Sequence, residues 1–355
     1  MPQTICLVMI IKNEAAILKR CLESVLPFIS YWVICDTGST DQSEQVARSL
    51  LTGIPGEWHH DDWVNFEHNR TQSLLRARGK ADYYLLIDAD MVLNAPEGFP
   101  VLSADAYWLH FSGWCDYSVL RLVSDRHKWS YEGVTHEFIS SETARCFEPL
   151  RQVSITHYED GSSRTEKYER DIRLLEKAVA DEPDNLRYAY YLAQSYRDTQ
   201  RYGPAMEWYQ KRAVMGGWEE EAWHAAYQVG KMQAMLHCDW RVVLNTYLQA
   251  YNYRPTRLEP IFHIANFYRE QGQFALGYHF ARLVEEMPMP QDLLFIERDI
   301  YEFRLPLEYA LCCRGTGRIE AGNRVIETLV ANPSLPEPWR QFALRTWEGP
   351  SVSRS

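Results

Sequence analysis

The sequence has no long apolar run, no block of basic residues and no CxxC motif. Its apolar stretch at residues 5–11 is far shorter than the ~20 residues that a membrane-spanning helix needs, and it lacks the basic flank of a signal peptide. The 37 lysines and arginines face 48 aspartates and glutamates, so the formal net charge is −11. An acidic chain without basic clusters is unsuited to sequence-independent binding of nucleic acid or of anionic membranes. We therefore expect no nucleic-acid partner and no membrane span.

The eight cysteines are scattered along the chain. Cys6 and Cys35 lie inside apolar runs, where a free thiol packs as a small hydrophobic group. The adjacent Cys312 and Cys313 lie in a helical pattern and are expected in a core. Unpaired cysteines of this kind are typical of a reducing compartment, so we expect a cytoplasmic protein.

The first part of the chain alternates short apolar runs with helical patterns. Such alternation predicts crossover connections and a mostly parallel sheet, in which ligands bind beyond the carboxyl ends of the strands. A further helix is expected to begin after a cap at Ser39 or Thr40. The predicted strands cover 4–11, 31–36 and 83–88, and the other predicted helices cover 13–25 and 67–77.

From residue 166 onward the pattern is helical and repeats itself. Three segments align without gaps, and each is predicted to form the turn and the start of the second helix in a helix–turn–helix unit. The first two start 72 residues apart (269 − 197), close to twice the 34-residue tetratricopeptide period. The segments are RDTQRYGPA at 197–205, REQGQFALG at 269–277 and RGTGRIEAG at 314–322.

These patterns divide the chain into three parts. An α/β domain is expected at residues 1–158 and a junction at 159–166. An all-α domain of helical repeats is expected at residues 167–345.

Acidic residues end two of the predicted strands. Asp36 precedes a tight turn at Gly38, where its carboxylate can accept a hydrogen bond from a nucleotide base or a ribose. Asp88 and Asp90 end another apolar run, although unpaired carboxylates are costly to bury. Two acids at this place suit a hard divalent cation that also contacts substrate phosphates.

Residues 4–157 resemble a family 2 glycosyltransferase with the GT-A fold, a Rossmann-like and mostly parallel α/β sheet. The repeats resemble the tetratricopeptide repeats often fused to such enzymes in bacteria. The whole arrangement is similar to peptide S-glycosyltransferases of the sublancin type. The resemblance is carried by the successive motifs MIIKNEAAILKRCLESV, WVICDTGSTDQS, FEHNRTQSLLRARGKADYYLLIDADM and LRLVSDRHKWSYEGVTHEF.

The resemblance implies a site for a nucleotide sugar, expected to be a UDP-hexose or a UDP-N-acetylhexosamine. It also implies a divalent metal, Mn²⁺ or Mg²⁺, on the donor diphosphate. The residues in the matching places are Asn13, Glu14, Asp36, Arg70, Asp88 and Ala89 for the nucleotide and its diphosphate, and Asp88 and Asp90 for the metal.

Two further acids and two histidines complete the expected site. Glu137 in YEGVTHEFI lies where this fold usually has an acid near the acceptor. It is our first candidate for the base that takes the acceptor's proton if the reaction inverts the anomeric centre, and Asp116 is the alternative. His157 lies about where these folds carry a late metal-binding histidine, and His136 is a second candidate ligand.

The sequence thus predicts a metal-dependent glycosyltransferase, expected to invert, that acts on a peptide, glycan or lipid-linked acceptor. The repeats are expected to bind this acceptor or to join two copies of the chain. As an alternative, the repeats could make the chain a peptide-binding scaffold with a weak or inactive transferase domain. A nucleotidyltransferase would share the sheet and the acidic pair, but it usually has a glycine-rich loop that IIKNEAA lacks.

Overall fold

The computed structural model describes residues 3–112, 117–158, 160–161, 167–285 and 287–348. The chain forms two compact units, Met1–Pro183 and Asp184–Ser355. Within the described ranges the first unit contains a sheet with helices and the second is helical, which confirms the predicted fold class.

Ten strands form in the described part of the first unit. Their burial follows from the sequence, because the inner strands are continuous apolar runs of the kind that is covered on both faces. They are β1 (Ile5–Ile11), β2 (Tyr31–Asp36), β3 (Gly56–His60), β4 (Tyr83–Leu86), β5 (Met91–Asn94), β6 (Ala106–Ser112), β7 (Tyr117–Ser124), β8 (Ser130–Glu132), β9 (Phe138–Ser140) and β10 (Phe147–His157).

Eight of these strands make one sheet, in the order β3-β2-β1-β4-β7-β6-β10-β5, and β8 pairs with β9. The pairs β1/β2, β1/β4, β2/β3 and β6/β10 are parallel, whereas β7 runs antiparallel to β4 and β6, and β5 to β10. Since Ile11 pairs with Asp36 and Val8 with Leu86, the carboxyl ends of β1, β2 and β4 meet at one edge. This edge is where a parallel sheet binds ligands.

Three helices cover the two faces of the sheet: α1 (Leu18–Val25), α2 (Ser43–Leu50) and α3 (Phe66–Ala77). Side chains of α1 and α2 pack with one set of alternating strand residues, and side chains of α3 pack with the other set. The amphipathic spacing of α1 buries its residues 18, 21, 22 and 25, and the side chain of Asn65 caps α3 at the N–H of His68.

Two helix starts were predicted too early. The first helix begins at Leu18, because Asn13 adopts a left-handed φ of 55° and the carbonyl of Glu14 closes a turn with the N–H of Leu18. The second begins at Ser43 and is not capped by Ser39 or Thr40. The side chain of Ser39 instead accepts a hydrogen bond from the N–H of Asn13 at 2.8 Å.

The regular secondary structure in the rest of the described chain is helical, with short 3₁₀ and π segments at Arg282–Glu285 and Ile300–Arg304. In the described ranges no helix combines the length and the apolar composition needed to cross a membrane. The helices are α4 (Lys167–Asp181), which belongs to the first unit, and α5 (Leu186–Asp198), α6 (Tyr202–Val214), α7 (Glu219–Met235), α8 (Trp240–Tyr253), α9 (Glu259–Glu270), α10 (Phe274–Ala281), α11 (Leu305–Gly315), α12 (Ile319–Ala331) and α13 (Glu337–Glu348) in the second.

The sequence assigns α4 to the repeat domain expected at residues 167–345, whereas the compact unit that contains the sheet includes α4.

Cys312 and Cys313 are buried in helix α11, as expected from their pattern.

One turn geometry recurs in the repeats and confirms the alignment of the three sequence segments. Gln200, His237, Gly272 and Gly317 follow α5, α7, α9 and α11, and all four have a left-handed φ of 60°, 54°, 69° and 76°. The N–H of each donates to the carbonyl three residues earlier, and the next N–H donates to the carbonyl five residues earlier. This is the Schellman motif, in which glycine is the preferred residue.

We expect Gln200→Gly to stabilise the protein, because a side chain at a left-handed position costs about 1 kcal/mol. Gly272→Ala should lower the free energy of unfolding by a similar amount. The control is Gly203→Ala, because φ there is not left-handed and a Cβ would meet no atom within 4 Å beyond its chain neighbours and its own helix. Urea unfolding followed by circular dichroism measures the three effects. A loss of stability in Gln200→Gly would contradict the assignment of strain.

Candidate functional site

A cavity of about 850 Å³ opens at the carboxyl ends of β1 and β4. Its wall includes the turn after β1, helix α3, the end of β4, the segment around residue 136 and the start of α4. The charged groups in the wall are six basic residues, Lys12, Arg70, Arg121, Lys167, Arg170 and Arg173, and five acidic residues, Glu14, Asp88, Asp90, Glu137 and Asp171.

Arg70 joins two of the predicted acids. It lies on α3, where its Nη1 donates to Oδ1 of Asp88 at 2.8 Å and its Nε lies 2.7 Å from Oε1 of Glu137. The ring of Tyr131 lies 5.7 Å from the guanidinium carbon, within range of a cation–π contact. The side chain of Arg70 is 14% exposed. It is therefore an internal cation between two carboxylates and not a solvated helix residue.

Asp88 has a second cationic neighbour in Arg121, whose Nη1 lies 3.5 Å from Oδ2. Burial alone would raise the pKa of Asp88, but the charges of Arg70 and Arg121 outweigh burial and hold this pKa well below its usual value of 3.8. Burial likewise lowers the pKa of Arg70, and Asp88 and Glu137 raise it by more. Asp88 is thus a permanent anion whose charge is matched by protein cations.

Asp90 lies against His157, with Oδ2 and Nε2 3.1 Å apart. Both side chains face the cavity. A Cβ placed on Gly161 would lie 3.2 Å from Oδ2 of Asp90 and 3.5 Å from Oε1 of Glu14, so these two carboxylates approach the same point. Asp90 and His157 therefore offer an oxygen and a nitrogen ligand from two different strand ends.

A complete metal-binding group is not formed by protein side chains alone in the part of the chain that the structure describes. No three His, Cys, Asp or Glu residues there are arranged to hold a metal ion. The Asp90–His157 pair nevertheless fits a divalent ion, since Mg²⁺ and Mn²⁺ sites commonly use one or two protein ligands and complete the shell with substrate phosphates and water. Asp88 fits less well because two arginines already contact it.

Asn13 lines the cavity and also braces the neighbouring loop. Its Oδ1 accepts a hydrogen bond from the N–H of Thr40 at 2.7 Å. The contact joins the turn after β1 to the loop after β2.

Asp36 is buried just behind the cavity wall, to which the next residue, Thr37, contributes. Oδ1 of Asp36 accepts hydrogen bonds from the N–H groups of Gly38 and Ser39 at 3.2 and 2.8 Å. Its Oδ2 lies 3.5 Å from Nδ1 of His60. One carboxylate oxygen thus shapes the turn, and the other faces the ring of His60.

The structure brings most of the predicted site together. Asp36 lies beside the cavity without lining it, and Asp116 lies outside the described residues. The roles assigned to all of these residues stay predictions. The predicted residues that line the cavity are Asn13, Glu14, Arg70, Asp88, Ala89, Asp90, His136, Glu137 and His157.

Sequence reasoning missed two groups of cavity residues. Arg121 interrupts the apolar run LRLV of β7, and a lone cation between buried residues was a usable signal, because such a charge needs a partner. The basic residues of α4 were overlooked because they have the spacing of an ordinary solvated helix face.

We expect Asp88→Asn to lower the free energy of unfolding by about 3 kcal/mol at pH 7, because it leaves buried cations short of a partner. A depressed pKa in the folded state stabilises the protein above the unfolded value of 3.8, and this contribution disappears as the pH falls through the folded value. The difference from wild type should therefore be full above about pH 5 and shrink below pH 4. Urea unfolding across this range, with the exposed Asp62→Asn as control, measures it. A difference that does not change with pH would contradict the ion-pair account.

The family model described as glycosyl transferase family 2 matches residues 6–103, which include Arg70, Asp88 and Asp90. A TPR repeat-containing protein of Synechococcus elongatus is 27% identical over 312 residues, which is 78% of this chain and 74% of that protein.

Solved structures similar to this chain include the MamA protein and YrrB. The MamA protein matches with a TM-score of 0.37 and 15% identity over 47% of this chain and 84% of its own. YrrB, described as a TPR protein with an unusual peptide-binding site, matches with a TM-score of 0.37 and 15% identity over 51% of this chain and 84% of its own. The family match thus falls in the N-terminal region of this chain, and helical repeats with recurring turns, which resemble tetratricopeptide repeats, follow it.

Proposed function

We propose that the chain is a glycosyltransferase that moves a sugar from a nucleotide sugar to an acceptor. One observation carries the proposal: Arg70, Asp88, Asp90 and Glu137 line a single cavity at the carboxyl edge of the sheet, and all but Glu137 lie within the residues that the family model matches. The volume of about 850 Å³ lies in the range of small-molecule sites and suits a nucleotide diphosphate with one sugar.

The donor is proposed to be UDP-linked and metal-bound. Asp90 and His157 would hold the divalent ion, which offsets the negative charge of the diphosphate as it leaves. Asp36 is proposed to offer Oδ2 to the base, and Asn13 and Glu14 are proposed to contact the nucleotide from the cavity wall. Asp88 is proposed to act through Arg70, because its charge is already paired.

Transfer with inversion needs one base. The acceptor's nucleophile attacks the anomeric carbon, the bond to the diphosphate oxygen breaks, and a carboxylate takes the acceptor's proton. Glu137 is proposed for this step, because it lines the cavity and its ion pair with Arg70 holds its orientation. A base held by a rigid neighbour needs little reorganisation when the acceptor arrives.

The repeats are proposed to bind the acceptor, which would be a peptide, a glycan or a lipid-linked intermediate, or to join two copies of the chain. A second cavity of about 610 Å³, lined in part by Arg269, Phe274 and Arg314, supports acceptor binding within the repeat unit. The same cavity favours the alternative that the chain is mainly a peptide-binding scaffold. The seven described cysteines are free thiols, which supports a cytoplasmic location.

Release of nucleoside diphosphate from a panel of sugar nucleotides tests the proposal without knowledge of the acceptor. With Mn²⁺, wild type should hydrolyse one donor slowly, and a chelator should stop the reaction. Asp90→Asn should lower the rate roughly 100-fold, because it weakens stabilisation of the leaving group by about 2.7 kcal/mol.

The control is Glu97→Gln, which removes an exposed carboxylate outside the cavity wall and should leave the rate unchanged. If no donor is hydrolysed and none binds in a direct titration, the transferase proposal fails and the scaffold alternative takes its place.

A further inference from the structure

Helix α4 turns three cations toward the cavity. Lys167, Arg170 and Arg173 occupy positions i, i+3 and i+6, so they follow one side of the helix, and all three line the cavity. The helix lies outside residues 6–103, which the family model matches. Its basic residues are therefore a feature of this chain that the transferase motifs do not predict.

Buried contacts hold α4 at this place. Asp171 is 1% exposed, and its Oδ1 accepts a hydrogen bond from the hydroxyl of the buried Thr135 at 3.2 Å. The guanidinium of Arg170 lies 3.4 Å from the same oxygen and 4.9 Å from the ring centre of Phe66. Because Thr135 lies two residues before Glu137, these contacts fix the basic side of α4 relative to the proposed base.

The charge of the cavity is divided unevenly between α4 and the remaining wall. Without α4, the wall has three basic residues and four acidic ones, a formal charge of 3 − 4 = −1. The contribution of α4 is three basic residues and Asp171, a formal charge of 3 − 1 = +2. The positive part of the cavity is thus supplied by the helix that precedes the repeats.

We propose that Lys167, Arg170 and Arg173 form a binding site for a phosphate or diphosphate group of a substrate; the inference rests on the proposed transferase function. Charge-assisted hydrogen bonds from arginine and lysine are the strongest contacts that side chains offer to phosphate oxygens. The group belongs either to the diphosphate of the donor or to a phosphate-bearing acceptor. In both cases α4 is part of the transferase site.

Calorimetric titrations of the full chain with inorganic pyrophosphate, UDP and uridine test this site. The variant is Lys167→Gln/Arg173→Gln, which leaves Arg170 on Asp171. We expect pyrophosphate to bind wild type and to bind the double variant at least tenfold more weakly, while uridine affinity stays unchanged. The control is Lys177→Gln, an exposed lysine of α4 outside the cavity wall, with affinities within twofold of wild type.

A pyrophosphate titration in saturating UDP separates the two sources of the anion. Binding that UDP abolishes assigns the site to the donor diphosphate, and binding that persists assigns it to the acceptor. The inference is overturned if wild type binds no pyrophosphate, or if the correctly folded double variant binds it as tightly as wild type does. Failure of wild type to bind UDP and uridine would instead contradict the proposed function, whatever the pyrophosphate result.

Discussion

The ion pairs of Arg70 are the interaction on which the cavity depends. A buried cation without partners is strongly destabilising, so the fold must bring carboxylates to it. Asp88 arrives at the end of β4, and Glu137 arrives on the segment between β8 and β9. Three parts of the chain that are distant in sequence are thereby held at one edge of the sheet. Arg121 on β7 adds a fourth part, and Arg70 and Arg121 together keep Asp88 ionised.

Around the ion pairs of Arg70, the cavity wall has an acidic part and a basic part. Glu14 and Asp90 both lie near Gly161 on one part of the wall, and the cations of α4 supply the positive part. A nucleotide sugar needs both kinds of surface, because its hydroxyls and any bound cation are matched by carboxylates and its diphosphate by basic groups. The compact unit that contains the sheet ends at Pro183, so it includes α4 with its basic residues.

The sequence patterns predicted those strands and turns that are determined by neighbouring residues. The strands at 31–36 and 83–86 were predictable, the second two residues too long, because strands buried on both faces are continuous apolar runs. The repeats were visible because their turns recur, although Gln200 has a left-handed φ without the usual glycine. Pairing between strands distant in sequence was not predictable. Strand β7 pairs antiparallel with β4 and thereby brings Arg121 to Asp88, and no single segment of the sequence indicates this pairing.

The residues of α4 show the same limit, since a basic helix face has the pattern of a solvated face until tertiary contacts such as Thr135–Asp171 place it.

A crystal structure of the chain with UDP and Mn²⁺ tests whether the cavity around Arg70 receives a nucleotide sugar. We expect a diphosphate between Asp90 and α4, with Arg70 still paired to Asp88. A nucleotide bound elsewhere on the chain, or a cavity left empty at saturating UDP, would contradict it.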